Sequence, residues 1–411
     1  MSADWIVDWR CKNFPADVDG VPASAVAGQG WQVPRDFATP IAVIKERELL
    51  ANLAQMRDYC ADHGVVIAPH GKPTMSPELI GRQLEHGAWG MTAATAWQAR
   101  VMIEFGARRV MIANQCVDPV GLRWVAERLR DDPGTEIYVF VDSIESVEVM
   151  RAVLQSVPSA PVLPVLVEVG FGGGRAGARS VADAVKVGLS VAAAPEFELA
   201  GVAAYEGVAG GDRAPDVLET VRSLLGDIRE TARNLIGAAA FREGPVLLSA
   251  GGTAFFDEVV DVLAADRDYY SAPVEVVIRS GCYVTHDHTG YFEISPLDFQ
   301  PALEVWASVL STPEPGLAIL DVGKRDISTD AFMPVVLARV RDGHRQDLQE
   351  VTFDHCNDQH GYLHSADPAT FRVGDLVVLG ISHPCTTFDK WRAIPIVDDQ
   401  YKVVSVARTF F

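Results

Sequence analysis

The chain lacks any apolar stretch long enough to cross a membrane as a helix, any CxxC pair, any long run of Lys or Arg, and any low-complexity segment beyond short Gly or Ala runs. Each absence removes a class of protein. A membrane helix needs about 20 successive apolar residues, so a spanning segment is not expected. The opening "MSADWIVDWRCKNF" puts Asp and Arg where a signal peptide would carry its apolar region, and a cytoplasmic location is expected. Six cysteines, Cys11, Cys60, Cys116, Cys282, Cys356 and Cys385, are scattered along the chain and suit reduced thiols better than a disulfide framework. With 55 acidic against 35 basic residues the formal charge is −20, which repels phosphate backbones, so nucleic acid is not an expected partner. What remains is an ordinary globular composition, 48% apolar and 22% charged, in 411 residues, a length that favours two domains.

Between about residues 64 and 285, eight apolar runs alternate with helical patterns: "GVVIAPH", "WGMTAAT", "RVMIANQ", "IYVFVDS", "VLPVLVEVG", "LAGVAAYEG", "PVLLSAGG" and "VEVVIRSG". Near-continuous Val, Ile and Leu is what strands buried on both faces of a parallel sheet require. In "SIESVEVMRAVLQ", Ser143 with Ser146 three residues on forms a plausible helix N-cap. Eight such units predict a (β/α)8 TIM-type barrel over residues 39–296. From 297 to 411, short alternating runs bounded by Gly, Pro and Asp predict a mainly-β domain, to which residues 1–38 could add strands.

In such barrels the chemistry lies at the C-terminal strand ends. Lys72, Asn114, Asp142, Arg175, Tyr205, Ser249 and Gly281 fall there. Lys72, in "APHGKPTMSP", can be partly desolvated after its strand, making its amine a candidate nucleophile for a carbonyl such as that of pyridoxal phosphate. "SAGGT" (249–253) and "RSGCYVTHD" (279–287) follow the seventh and eighth strands, where barrels recurrently bind phosphate through exposed N–H groups. "EVGFGGGRAG" lacks the context of a dinucleotide fingerprint; its Arg175 could orient a cofactor or pair with Glu168. In "GISHPCTTFDKW", His383 and Cys385 lie two apart after an extended run, so that on a continuing strand both would face one side and could share a zinc ion with open positions. His286, Asp287 and His288 form a rival metal grouping, and His355, Cys356 and His360 another. His360 could also support the ligands from behind.

The segments "PHGK", "EVGFGGGRAG", "GVAAYEG", "SAGGT", "SGCYVTHD", "DVGKRDISTD", "NDQHGYL" and "SHPC", in this order, resemble the D-serine dehydratase and D-threonine aldolase family, which has the alanine racemase type of fold. The resemblance implies pyridoxal phosphate on Lys72 as a Schiff base. It implies a phosphate cradle at Ser249, Gly251, Gly252, Thr253, Gly281, Cys282 and Tyr283. Arg175 and Tyr205 would lie against the cofactor, and His383 and Cys385 would hold zinc or another divalent metal. It further implies a homodimer and a small D-3-hydroxy amino acid as substrate. A His/Cys pair leans to the dehydratase, which would give a 2-oxo acid and ammonia; the alternatives are a retro-aldol cleavage to glycine and an aldehyde, a racemase, or a non-catalytic cofactor carrier. Three segments depart from the family pattern: "DQHG" stands for "EEHG", "HGKPTM" for "HGKTHK", and Gly281-Cys282-Tyr283 for Gly-Thr-Tyr.

Overall fold

The computed structural model describes residues 4–411. Eight strands, β4 (Val66–Ile67), β5 (Met91–Ala93), β6 (Arg109–Gln115), β7 (Glu136–Val141), β8 (Leu163–Val169), β9 (Phe197–Ala204), β10 (Val246–Ala250) and β11 (Val274–Ile278), form one parallel sheet, preceded in the chain by β1 (Ile6–Val7), β2 (Val21–Pro22) and β3 (Ile41–Lys45). They are the eight apolar runs of the sequence, in order. Neighbours pair in register from β5 round to β11 and on to β4. Strands β4 and β5 do not form a ladder. The barrel is instead closed by one parallel bridge, His70 to Thr92, in which Gly71 N donates to Thr92 O and Thr92 N to Pro69 O, each at 2.8 Å. The Thr92 hydroxyl adds a bond to Ala68 O at 2.6 Å. The seam thus lies immediately before Lys72.

Tyr138, Phe140, Leu166, Leu247 and Val277 are buried inside the barrel, while the outer strand faces join the larger core under the helices. Each helix begins at the strand-end face, and the caps are those the sequence supplies. Thr95 caps α3 (Ala96–Glu104), which follows α1 (Glu46–His63) and α2 (Pro77–Glu85). Asp118 caps α4 (Pro119–Asp131), with Pro119 at the first helical position. The Ser143/Ser146 capping box opens α5 (Ile144–Gln155), and Ser180 caps α6 (Val181–Ala193). Such caps each stabilise by about 1 kcal/mol. The longest helix, α7 (Pro215–Gly237), packs on α6 and β9.

The second domain is built on β12 (Leu303–Glu314), β13 (Leu317–Leu320), β14 (Val335–Arg341), β15 (His344–Asp347), β16 (Val351–Cys356), β17 (Gly361–Ser365), β18 (Leu376–Gly380), β19 (Ala393–Val397) and β20 (Val403–Arg408). Its central strand β12 is long and bulged, pairing with β13, β18 and β3. Here the expected boundary at residue 39 needs correction. Strand β3 pairs antiparallel with β12 and parallel with β19, so it belongs to this sheet and the barrel begins only after α1. A fully apolar five-residue run followed by a helix reads the same in either sheet; the pairing partner decides. The N-terminal segment forms its own ribbon, β1 with β2, and ties to this domain through Val403 N to Trp31 O at 2.9 Å and a Lys12–Asp326 ion pair at 3.1 Å. No helix of the described residues is long and apolar enough to cross a membrane.

Candidate active site where the barrel meets the β domain

Two cavities open side by side at the strand ends. The first, of about 170 Å³, is lined by His70, Lys72, Asn114, Phe140, Glu168, Arg175, Tyr205, Gly252 and Arg279. The second, of about 250 Å³, runs from Tyr205 and Gly252 to Phe255, Asp287, Tyr291, Ile294, Phe332 and His383. Tyr205 and Gly252 border both. Barrel lysine and β-domain histidine therefore line neighbouring cavities with a shared border.

Lys72 is reached directly from the closing bridge, and its backbone N–H donates to His70 Nδ1 at 3.3 Å. The expected desolvation is not seen, since the side chain is exposed in the cavity mouth. His70 beneath it is pushed well below the usual histidine range by burial and by the positive charges of Lys72, Arg279 and Arg175, and is neutral. Gly281 meets this loop from β11: a Cβ there would overlap the His70 carbonyl oxygen, so glycine is required for the two strand ends to touch.

Arg175 stacks on the Tyr205 ring, guanidinium carbon to centroid 4.7 Å. Its alternative ion pair with Glu168 does not form; Glu168 accepts from Gln115. Burial pushes Glu168 up, and Gln115, Arg279 and Arg175 partly oppose that shift. The deepest charge in the cavity is Arg279, which donates to Ser249 Oγ at 2.7 Å and Ala204 O at 2.6 Å over the face of Phe140. Burial lowers its affinity for its proton, and Glu206 and Glu168 resist that change. In the sequence Arg279 stands in the run before Gly281 with no partner nearby. A lone cation ending an apolar strand was the available signal.

The glycine-rich loops depart in part from the cradle that the resemblance implies. Ser249 is fully buried in the barrel, its hydroxyl donating to Val277 O at 2.9 Å and accepting from Arg279, so it supports the arginine and does not face the loop. Strand alternation turns it inward. Tyr283 likewise points away, between Gln83 and Phe299. The N–H groups of Gly251 and Gly252 are engaged by the buried Glu206 carboxylate, at 3.2 Å for Gly251. A donor remains for a phosphate at Thr253, beside the cavity; the N–H groups of Gly281 and Cys282, at the start of a one-turn helix, have no backbone acceptor, though neither residue lines the cavities. An amine at the mouth, a stacked aromatic ring, a buried cation and free loop amides fit a planar, phosphorylated aldehyde.

The metal pair also sits differently from expectation. Strand β18 ends at Gly380, and Pro384, which cannot extend a ladder, leads into the helical turn Cys385–Phe388. His383 and Cys385 nevertheless remain neighbours. His383 Nδ1 donates to Asp330 Oδ2 at 2.9 Å, which leaves Nε2 free for a metal. Asp330 also accepts from Thr386 Oγ1 at 2.8 Å. Burial pushes this carboxylate up, but the bonds from Ser328, Thr386 and His383 outweigh that and bring it to about 2. The thiol of Cys282, itself buried, stands 3.7 Å from Cys385. A hydrogen bond from Cys282 holds Cys385 below the usual thiol range against the effect of burial, with help from His383 and Lys72. Cys385, and then Asp330, raise His383 to about 9.

Among the described residues no three His, Cys, Asp or Glu side chains form a ready metal cluster, so neither rival grouping converges. His286 and His288 are enclosed, and His286 Nε2 and His288 Nδ1 have no partner. His355 stacks on Tyr362 at 4.0 Å, and His360 makes no side-chain hydrogen bond among the described residues, so it does not support His383. Asp330 does, and lies too far away in sequence to have been paired with it.

Residues 302–397 match the putative serine dehydratase domain. The chain is 26% identical over 363 residues to a D-threonine aldolase of Arthrobacter sp, covering 88% of this chain and 89% of that one. It is 26% identical over 372 residues to a D-threo-3-hydroxyaspartate dehydratase of Delftia sp. (strain HT23), covering 85% and 91%. The solved D-threonine aldolase of Filomicrobium marinum superposes with a TM-score of 0.77 at 25% identity, over 92% of this chain and 97% of that one. An alanine racemase of Clostridium difficile 630 shares the fold, with a TM-score of 0.65 at 12% identity over 91% and 99%.

Proposed function

We propose, for a chain whose residues 302–397 match the putative serine dehydratase domain and which is similar over 85–88% of its length to D-3-hydroxy amino acid lyases, that it is a pyridoxal phosphate- and metal-dependent dehydratase. Its substrate is a D-3-hydroxy amino acid; its products are a 2-oxo acid and ammonia. The carrying observation is that Lys72 and His383 line two adjacent cavities that share Tyr205 and Gly252 as their border.

Lys72 would hold pyridoxal phosphate, with Thr253, Gly281 and Cys282 as candidate donors to its phosphate, and the bound group would supply an electron sink for the substrate α-carbon. His383 and Cys385 would hold a divalent ion, which would supply a Lewis acid for the β-oxygen. The amine of Lys72 takes the α-proton, standing at the open side of the cavity where it can move. Tyr205, braced by Arg175, forms one wall, and Arg279 keeps a fixed positive charge at the cavity floor. Loss of the α-proton and the β-hydroxyl yields an enamine; its imine tautomer takes up water to give the 2-oxo acid and ammonia. The enzyme would work as a homodimer, which light scattering of the purified protein checks.

The second cavity selects the substituent on the β-carbon. Phe255, Ile294 and Phe332 line it, Asp287 is its one acid, and no Lys or Arg reaches it. An apolar substituent is therefore favoured over a second carboxylate, which would meet apolar walls and Asp287 with no Lys or Arg dedicated to it. We expect D-threonine and D-phenylserine to exceed D-3-hydroxyaspartate in kcat/KM by roughly tenfold or more, about the 1.4 kcal/mol of one unfavourable charge contact. Equal or reversed preference removes this assignment.

Similarity to a D-threonine aldolase supports a second reading, in which Cα–Cβ cleavage gives glycine and an aldehyde. Incubation with D-threonine separates the two: 2-oxobutanoate with ammonia supports the dehydratase, whereas acetaldehyde with glycine replaces it by the aldolase.

A further inference from the structure

We propose that Cys282 is a third protein ligand of the metal, so that the ion is held by two thiolates and the imidazole of His383. The inference rests on the metal-dependent reading above and goes beyond the His383/Cys385 pair. Its basis is a distance. Two thiolates on one tetrahedral zinc, each at about 2.3 Å, stand about 3.8 Å apart; the sulfurs of Cys282 and Cys385 stand 3.7 Å apart.

That spacing is set by the fold. Cys282 begins the one-turn helix after β11, directly behind the Gly281 contact with His70, and is 5% exposed. Cys385 begins another turn, in the β domain, beyond Pro384. Two separate domains thus deliver one sulfur each to the same point. The third donor would be His383 Nε2, since Nδ1 is engaged by Asp330; the imidazole is not yet gathered with the two sulfurs into a three-ligand cluster, so binding of the ion would have to draw it in. Two thiolates and one imidazole favour zinc over manganese or magnesium and leave one tetrahedral position open.

The consequence is a physical link between the two cofactors. The backbone N–H of Cys282 is one of the donors assigned to the phosphate, and its sulfur would hold the ion.

Full-length protein, reduced and stripped with a chelator, is titrated with Co2+ in the absence of oxygen. Thiolate-to-cobalt absorption in the near ultraviolet is expected to be about twice as intense in the wild type as in Cys282→Ser or Cys282→Thr, and absent from the double variant with Cys385→Ser. Zinc affinity, measured by chelator competition, is expected to fall at least roughly tenfold in each single variant. If the cysteine variants do not fold, X-ray absorption of the zinc-loaded wild type decides, with two sulfur neighbours expected. One sulfur, or cobalt absorption unchanged by Cys282→Ser but lost in Cys385→Ser, overturns the third ligand and leaves the two-ligand site standing. Failure to bind cobalt or zinc at all overturns both.

Discussion

The two sides of the site are held in different ways. Lys72 is positioned by main chain: the His70–Thr92 bridge, the bonds of Pro69 and Gly71, and the close approach of Gly281 involve few side-chain atoms. His383 is positioned by side chains, through Asp330 and the hydroxyls of Ser328 and Thr386 that hold it. A backbone scaffold tolerates change in neighbouring side chains and fails when space is lost. A side-chain scaffold fails when one functional group is removed. The amine should therefore survive most nearby substitutions, while the His383 corner should be sensitive to single atoms.

The largest expected effect lies on the lysine side. Lys72→Ala should lower turnover on the order of 10³-fold or more and abolish the absorbance of bound pyridoxal phosphate. Its exposed side chain supports no fold contact, so the melting temperature should stay within about 2 °C. Retained turnover would dissolve the comparison along with the mechanism. On the other side, Asp330→Asn weakens the support of His383 and should cost roughly 10–100-fold in zinc affinity. Cofactor absorbance should not change, and a parallel loss of both would show that the two scaffolds are not separate.

A third substitution tests the backbone scaffold itself. Gly281→Ala places a methyl group against the His70 carbonyl and should destabilise by about 1–3 kcal/mol, as overpacking does, with Lys72 displaced. Urea unfolding measures it, and an unchanged midpoint would mean that the seam has slack. The smallest effect is one of pH. Burial lowers His286 to about 4 and His288 to about 3, and places His70 well below its usual range. The folded protein therefore binds fewer protons than the unfolded chain below the ordinary histidine value of about 6.5. The stability from these neutral histidines is complete above that pH and is lost as pH falls through it towards 4 and 3. Melting temperatures should be flat from pH 7 to 8 and fall below pH 6; a fall confined to the alkaline side would contradict the assignment.

The barrel could be read from the sequence because its strands are buried on both faces and so are written as unbroken Val, Ile and Leu runs. Strand β3 was assigned to the wrong domain for the same reason, since "IAVIK" has no polar face to show which sheet it enters. At the site, Lys72, Arg175, Tyr205 and His383 stand at element ends that punctuation makes visible. Arg279, Glu206 and Asp330 were passed over because their roles come from partners distant in the chain. Ser249 and Tyr283 were placed in the cradle by proximity to glycines, but side-chain direction, which proximity does not carry, sends them elsewhere.

The pairing of β3 with β12 and β19 makes the whole barrel an insertion within the β domain. During synthesis, Ile41–Lys45 leaves the ribosome long before Leu303–Trp306 exists to cover it, and must wait as an unpaired apolar edge while the barrel forms. No single cut can separate the two units: truncation after the barrel strips β3 of its partners, and removal of the N-terminus takes an interior strand from the sheet that carries His383.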